Sequence, residues 1–356
     1  MRIAYYAING IGLGHLTRTI AIARALGDGH EHLFLTSSPA TELLRFHGLP
    51  YVAFPSDHHL ADKSLPLKDK TYSRLLGGMV ATTLNAFDPE VFVVDTLPAG
   101  VRGELSLLPT AARRTAFILR ERGALDPATA AAINRYDLVL VPHAEGPAPE
   151  GIDPEKIRHT GPVLYCDRGT SFDREESREL LQTYSDNPVV GVAFGGGGDK
   201  QIAELLAWAE TAAARHPELH FAISYPPLAG IDPPDDLPEN VTAICYSPLA
   251  EVWRAFDFVI SAAGYNSCNE LLDLGVPTIF VPRERPLDDQ LARARGFADA
   301  GAALIAEAFD DASLDTAIGE ISDPDKRASL SARAQEAVDG NGASAAAIHL
   351  LQLAGG

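Results

Sequence analysis

Short apolar runs alternate with amphipathic stretches from one end of this 356-residue chain to the other, and that alternation limits the fold more than any other feature. Runs with few internal polar positions read as strands covered on both faces, and parallel strands need a long crossover between them. A helix fills each crossover, so the pattern reads as βαβ units and parallel sheets. In the first half, strands are expected at 2–7, 32–36, 51–54, 91–95, 114–119, 138–142 and near 158–160. Helices are expected at 15–26, 74–87 and 126–134, with another opening on Ser38-Pro39 as cap and first-turn proline. The second half repeats the scheme with strands at 189–194, 220–223, 242–244, 258–260 and 278–281, a short one at 303–306, and a helix after Asp289. Between the halves Gly161-Pro162-Val163 breaks the pattern, and a polar stretch over 167–186 follows. The expected fold is therefore α/β, with two Rossmann-like domains at 1–163 and 164–340 and a closing helix within 341–356.

Composition narrows the function. No apolar run reaches the roughly eighteen residues that span a membrane, and nothing in the sequence supports a peripheral membrane contact. Three scattered thiols, Cys166, Cys245 and Cys268, form no framework, and no cleavable leader is legible at the start, so a reducing, cytoplasmic setting is expected. The net charge is −19, and it is uneven: residues 1–160 carry 16 Lys and Arg against 17 Asp and Glu, residues 161–356 carry 13 against 31. Nucleic acid is excluded as a partner, because phosphate tracking needs a basic stripe.

The densest run of chemistry lies in the acidic half. After Tyr246-Ser247-Pro248 and the strand at 258–260 come Gly264-Tyr265-Asn266-Ser267, Glu270, Gly275-Val276-Pro277, a further strand, and Asp289-Gln290. A buried strand that breaks at glycine and opens a helix aims free backbone N–H groups and the positive dipole end at one spot. Glu270, three residues past Ser267, projects near the same face and suits vicinal hydroxyls such as a ribose offers. The plainer alternative is that Asn266 and Ser267 merely cap a helix.

The spacing Gly-x-Asn-Ser-x-x-Glu-x-x-x-x-Gly-Val-Pro, followed by Asp-Gln, resembles the donor signature of UDP-dependent glycosyltransferases of the GT-B fold. The surrounding layout is similar to MurG-like glycosyltransferases. The resemblance implies two Rossmann-like domains facing across a cleft, a donor on the second and an acceptor on the first. It implies Glu270 on the ribose, Asn266 and Ser267 on the diphosphate, Asp289 and Gln290 on the sugar, and Tyr246 beside the base. The histidine that many such enzymes set against phosphate falls on Ala262 here, so the diphosphate must rely more on backbone amides. The closing helix is expected to pack back on the first domain.

Two further glycine-rich segments follow strands. Gly195 to Gly198 expose consecutive N–H groups suited to phosphate, or form a flexible turn; no Gly-Lys-Ser/Thr follows, so this is not a P-loop. Asn9-Gly10-Ile11-Gly12-Leu13-Gly14-His15 follows the first strand, with Gly12 and Gly14 lining an acceptor or phosphate loop. Its spacing departs from the dinucleotide fingerprint, and the second strand ends in Thr36-Ser37-Ser38 with no acid for a ribose, which disfavours NAD. His15 is the candidate general base, or a packed capping residue. Asp95 ends a buried strand and resembles the aspartate that orients a catalytic histidine, unless it caps the turn before Thr96-Leu97-Pro98. The polar segment 56–73, with His58, His59, Lys63, Lys68 and Lys70, is a loop with a candidate acceptor-facing role. No metal site is expected: the one Asp-x-Asp, Asp323-Pro324-Asp325, reads as a late polar loop.

The reading reached from the sequence is an inverting, metal-independent glycosyltransferase. It needs no cofactor beyond its nucleotide-sugar donor, with UDP implied as carrier, and its acceptor is left open among a small molecule, a glycan and a lipid-linked hydroxyl. A nucleotide-sugar hydrolase or epimerase on the same scaffold, or a silent sugar-nucleotide-binding protein, stays open as an alternative.

Overall fold

A computed structural model of the chain describes residues 1–8, 12–55, 69–106, 112–120, 125–196, 201–284 and 288–355. Asn9 to Ile11, the 56–68 part of the polar segment with His58, His59, Lys63 and Lys68, and Gly197, Gly198 and Lys200 lie outside the described residues. The described chain divides into two units, 1–163 with 341–356, and 164–340.

Unit 1 is a seven-stranded parallel sheet. Its strands are β1 (Arg2–Ala7), β2 (Glu31–Thr36), β3 (Tyr51–Ala53), β4 (Val91–Asp95), β5 (Arg114–Ile118), β6 (Leu138–Val141) and β7 (Ile157–His159). Among the described residues the α-helices between them are α1 (Gly14–Leu26), α2 (Thr41–Phe46), α3 (Asp69–Phe87) and α4 (Pro127–Ile133). The spatial order is β3-β2-β1-β4-β5-β6-β7, so the winding reverses between β1 and β4. Tyr6 pairs with Val94 in that ladder, which brings the ends of β1 and β4 side by side. Phe92, Val94, Phe117, Val139 and Ile133 build the core on one face. The helix Ala343–Gly355 joins this unit, packing on α1 and close to β4 and β5, and Gly342 before it brings its main chain onto the β7 exit. Gly342 N–H donates to Pro162 O at 2.7 Å, and a Cβ there would lie 2.4 Å from the Thr160 and Gly161 carbonyl oxygens.

Unit 2 opens with α5 (Arg174–Leu181) and continues with β8 (Val189–Ala193), α6 (Ile202–Arg215), β9 (His220–Ser224), β10 (Val241–Ile244) and β11 (Phe258–Ser261). There follow α7 (Tyr265–Asp273), β12 (Thr278–Phe280), α8 (Gln290–Asp299), β13 (Leu304–Ile305), α9 (Asp311–Ile321) and α10 (Pro324–Ala337). Its six strands run in the order β10-β9-β8-β11-β12-β13 and are again parallel, reversing between β8 and β11.

Three expectations are corrected. The polar stretch 167–186 contains α5, whose Asp173 and Glu176 form a reciprocal capping box and whose Arg174 and Arg178 both reach Asp257. Its charges are therefore anchors rather than linker polarity. Asp323-Pro324 opens α10 instead of lying in a loop, with Asp323 accepting from Asp325 N–H and Pro324 in the first turn. Ser38-Pro39 does not cap α2: that helix starts at Thr41 after Ala40, without a side-chain cap, and Ser38 Oγ accepts from Ala40 N–H at 3.3 Å.

In unit 2, packing around β8 leaves no room for a Cβ at Gly191. A Cβ on Gly191, in the middle of β8, would sit 2.5 Å from the Phe256 ring, which is itself buried against Trp253. Gly191→Ala is expected to destabilise by about 1–3 kcal/mol, because the ring must move in a filled core. Gly319→Ala, on the exposed face of α9 with open space around it, is expected to stabilise by roughly 0.5–1 kcal/mol. Denaturant midpoints of the two variants check both signs.

Candidate functional site

In a parallel α/β sheet, ligands gather at the carboxyl edge where the strand order reverses, because neighbouring connections there leave for opposite faces. Each unit has one such point, and residues singled out in the sequence stand at both.

In unit 1 the reversal falls between β1 and β4. His15 is in the first turn of α1, and Asp95 is the last residue of β4. The His15 ring nitrogen Nδ1 lies 3.1 Å from Asp95 Oδ2. Arg18, one turn further along α1, donates from Nη1 to Oδ1 at 2.9 Å and to Oδ2 at 2.8 Å. Thr96 adds its hydroxyl to Oδ1 at 2.8 Å. Asp95 has no exposed surface and Arg18 is 2 % exposed, whereas His15 keeps 17 % of its side chain in solvent. Burial on its own would raise the Asp95 carboxyl. The adjacent Arg18 guanidinium, His15 and the Thr96 hydroxyl outweigh it and bring the value down to about 2. An ionised Asp95 can only accept, so Nδ1 carries the proton and Nε2 is left with the basic lone pair.

The turn out of β4 is strained into place. Thr96 has φ +69°, a conformation that costs a β-branched residue on the order of 1–3 kcal/mol. It still donates N–H to Ile118 O, and Leu97 N–H returns to Asp95 O at 2.9 Å. Buried Glu104 pins the following loop, accepting from Tyr6 Oη at 2.7 Å, Val101 N–H at 2.8 Å and Arg102 N–H at 2.7 Å. Gly12 and Gly14 lie at the entry to α1, partly exposed.

In unit 2 the reversal falls between β8 and β11. After β8 the chain turns through Gly195, at φ +100°, and Gly196. After β11 comes α7, whose cap residue is Gly264 and which has no side-chain cap hydrogen bond. Asn266 and Ser267 thus fall inside the first turn, partly exposed, and the capping alternative does not hold. A helix start carries the positive end of its dipole, and Gly264 brings no side-chain oxygen of its own to it. Glu270 follows one turn later, 5 % exposed. Ala262, where the resemblance would place a phosphate-facing histidine, is buried and apolar.

The remaining donor-side residues are more committed to the fold than expected. Asp289 caps α8, accepting from Ala292 N–H at 2.9 Å, and is exposed. Gln290 is buried; its amide oxygen accepts from Arg283 N–H at 3.1 Å and its amide nitrogen donates to Asp288 at 3.3 Å. Tyr246 is partly buried, and its hydroxyl donates to Glu251, which also receives the Tyr165 hydroxyl at 3.3 Å. Burial and the Glu251 carboxylate together push the Tyr246 phenol well above its ordinary range. Among the described residues, no group of three or more His, Cys, Asp or Glu is arranged to hold a metal ion.

Residues 229–348 match the family model described as the glycosyltransferase family 28 C-terminal domain. Three solved structures align over nearly the full length. The spinosyn forosaminyltransferase SpnP is 17 % identical with a TM-score of 0.68, covering 100 % of each chain. The spinosyn rhamnosyltransferase SpnG, solved with thymidine diphosphate, is 19 % identical with a TM-score of 0.62, covering 99 % of this chain and 100 % of its own. MurG of Acinetobacter baumannii is 17 % identical with a TM-score of 0.60, covering 99 % of both. No curated protein matches the sequence. The fold is GT-B. The matched segment gives this GT-B chain a glycosyltransferase domain over most of unit 2.

Sequence reasoning missed Arg18, Arg283 and Arg293. Arg18 had a legible signal, since a cation one turn after His15, followed by the apolar run Ile20 to Ala23, needs a partner. Arg283 and Arg293 act through partners far along the chain: Arg283 Nη2 donates to Phe194 O, and Arg293 Nη1 to Ala263 O, each at 2.8 Å.

The unit 1 cluster has a measurable consequence for stability. Asp95→Asn leaves a buried guanidinium without its countercharge and is expected to cost about 3–5 kcal/mol, much of which the double variant Asp95→Asn, Arg18→Met should recover. The Asp95 carboxyl is lower in the folded protein than in the unfolded chain, so its stabilisation is full above roughly pH 4 and fades as pH falls towards about 2. Denaturant unfolding of wild type and double variant between pH 2 and 7 checks this; the acid-labile component should be missing from the double variant.

Proposed function

We propose that this protein is an inverting glycosyltransferase that moves a sugar from a nucleoside diphosphate to an acceptor hydroxyl without a bound metal ion. The observation that carries the reading is that both reversal points are equipped, one with an oriented imidazole and one with a glycine turn and an uncapped helix start. His15 Nε2 would take the proton from the acceptor hydroxyl as its oxygen attacks the anomeric carbon. Asp95 holds the tautomer that makes this possible, and the imidazolium formed stays next to a carboxylate. A single displacement of this kind inverts the anomeric centre.

On unit 2, the leaving diphosphate would be met by the Gly195-Gly196 turn, the first N–H groups of α7, and Asn266 and Ser267, with Glu270 on the ribose. Preorganised amides and a helix end stabilise a developing dianion in the way a divalent ion does elsewhere. The structure of SpnG with thymidine diphosphate makes thymidine a candidate carrier base beside uridine. Gln290 is tied to Arg283 and Asp288, and its amide keeps a second N–H and a second lone pair for a sugar hydroxyl; Asp289 likewise retains a carboxylate oxygen beyond its capping bond.

The roles separate experimentally. His15→Ala is expected to lower turnover by about 10²–10⁴-fold with donor affinity nearly unchanged. Glu270→Ala should weaken nucleotide binding by roughly 1.5–3 kcal/mol. Wild-type activity should persist in EDTA. Steady-state assays and calorimetry with UDP, dTDP, GDP and CDP check all three; near-normal turnover in His15→Ala would remove the base, and total loss in chelator restored by magnesium would remove the metal-free mechanism. Free sugar accumulating without acceptor dependence would favour the hydrolase reading instead.

A further inference from the structure

Two buried arginines hold the main chain on either side of the strand-order reversal in unit 2. Arg283 lies three residues past β12, yet its guanidinium donates to the carbonyl of Phe194, the residue directly after β8, at 2.8 Å. Because β11 lies between β8 and β12, the side chain bridges the carboxyl end of the middle strand. Its backbone N–H donates to Gln290 Oε1 at 3.1 Å, which ties the same residue to the start of α8. On the other flank, Arg293 donates to Ala263 O at 2.8 Å, pairs with Asp288 at 2.7 Å and lies over the Tyr265 ring at 5.6 Å.

The Arg283 contact has a directional consequence. In a trans peptide the carbonyl and the following N–H point opposite ways. With the Phe194 carbonyl held on Arg283, the Gly195 N–H is turned to the other side. Gly195 needs φ +100°, where L side chains are strained, although the nearest atom to a Cβ there would be Arg283 Nη2 at 3.9 Å. The glycine is thus demanded by the backbone angle and not by crowding. A turn fixed by a 9 % exposed arginine on one side and by glycine-only geometry on the other has a set direction.

We propose that Arg283 is a positioning residue for the donor diphosphate. By gripping the Phe194 carbonyl it aims the Gly195 amide at the phosphates, and through Gln290 it keeps that turn in register with α8. The proposal rests on reading unit 2 as a nucleotide-sugar site, and it adds a residue outside the donor signature.

The test is calorimetry on the full chain with UDP and with UMP, or with the di- and monophosphate of whichever base wild type prefers. Arg283→Gln is expected to cut the affinity gained from monophosphate to diphosphate by about tenfold, with monophosphate binding little changed. Arg283→Lys, which keeps the charge but not the fork, should fall between. Gly195→Ala disturbs the same turn from its other side and should show the same diphosphate-selective loss, so the inference stays testable if Arg283→Gln does not fold. An unchanged diphosphate-to-monophosphate ratio in folded variants overturns this inference alone. Absence of any nucleoside diphosphate binding by wild type overturns the donor-site reading and this inference with it.

Discussion

A parallel sheet wound from its middle strand outwards sends consecutive connections to opposite faces, and at the reversal the carboxyl ends of two strands are left uncovered by either connection. Main-chain amides, helix starts and strand-end side chains converge there. Both units of this GT-B chain place their reversal between the first strand of the unit and the fourth, β1 with β4 and β8 with β11. The chemistry-bearing residues follow from that placement: His15 and Asp95 at one point, the Gly195 turn and the α7 start at the other. Other parts of each unit, including the core faces and the capped outer helices, serve to hold these strand ends fixed.

The two points handle charge differently. Unit 1 buries a carboxylate and a guanidinium together, an arrangement that is costly to break but contributes little against an apolar substitute. Its value lies in orientation. An Asp95 held ionised by Arg18 fixes which nitrogen of a neutral His15 ring carries the proton, and the left-handed Thr96 turn brings a third donor to the same carboxylate. Unit 2 is the acidic part of the chain, so long-range attraction cannot draw in a dianion. On the proposed reading local order would do it instead, with the Phe194 and Ala263 carbonyls each held by an arginine.

The strands and their parallel arrangement were legible in the sequence because a strand buried on both faces leaves a continuous apolar run, as Val91–Asp95 and Val189–Ala193 do. The candidate base and its neighbour were legible for a related reason, each lying at the end of such a run. Elements held by charge were not. Helix α5 has a polar composition and docks through Arg174 and Arg178 onto Asp257, a partner some eighty positions away; only its capping box was local. The roles of Arg18, Arg283 and Gln290 depend on which strand ends become neighbours, and spacing along the chain does not encode that. The helix-cap alternative for Asn266 and Ser267 could be decided only when the cap position fell on Gly264.

Hydrogen exchange read by mass spectrometry, with and without a saturating nucleoside diphosphate, addresses the division of labour between the units most directly. The account predicts slowed exchange in peptides covering Phe194 to Gly196 and Gly264 to Glu270. Peptides covering Gly12 to Arg18 and Val91 to Thr96 should exchange as before, because the nucleotide alone has no business with the base. Protection centred on the His15 segment, with the Gly195 turn and the α7 start unaffected, would contradict the account.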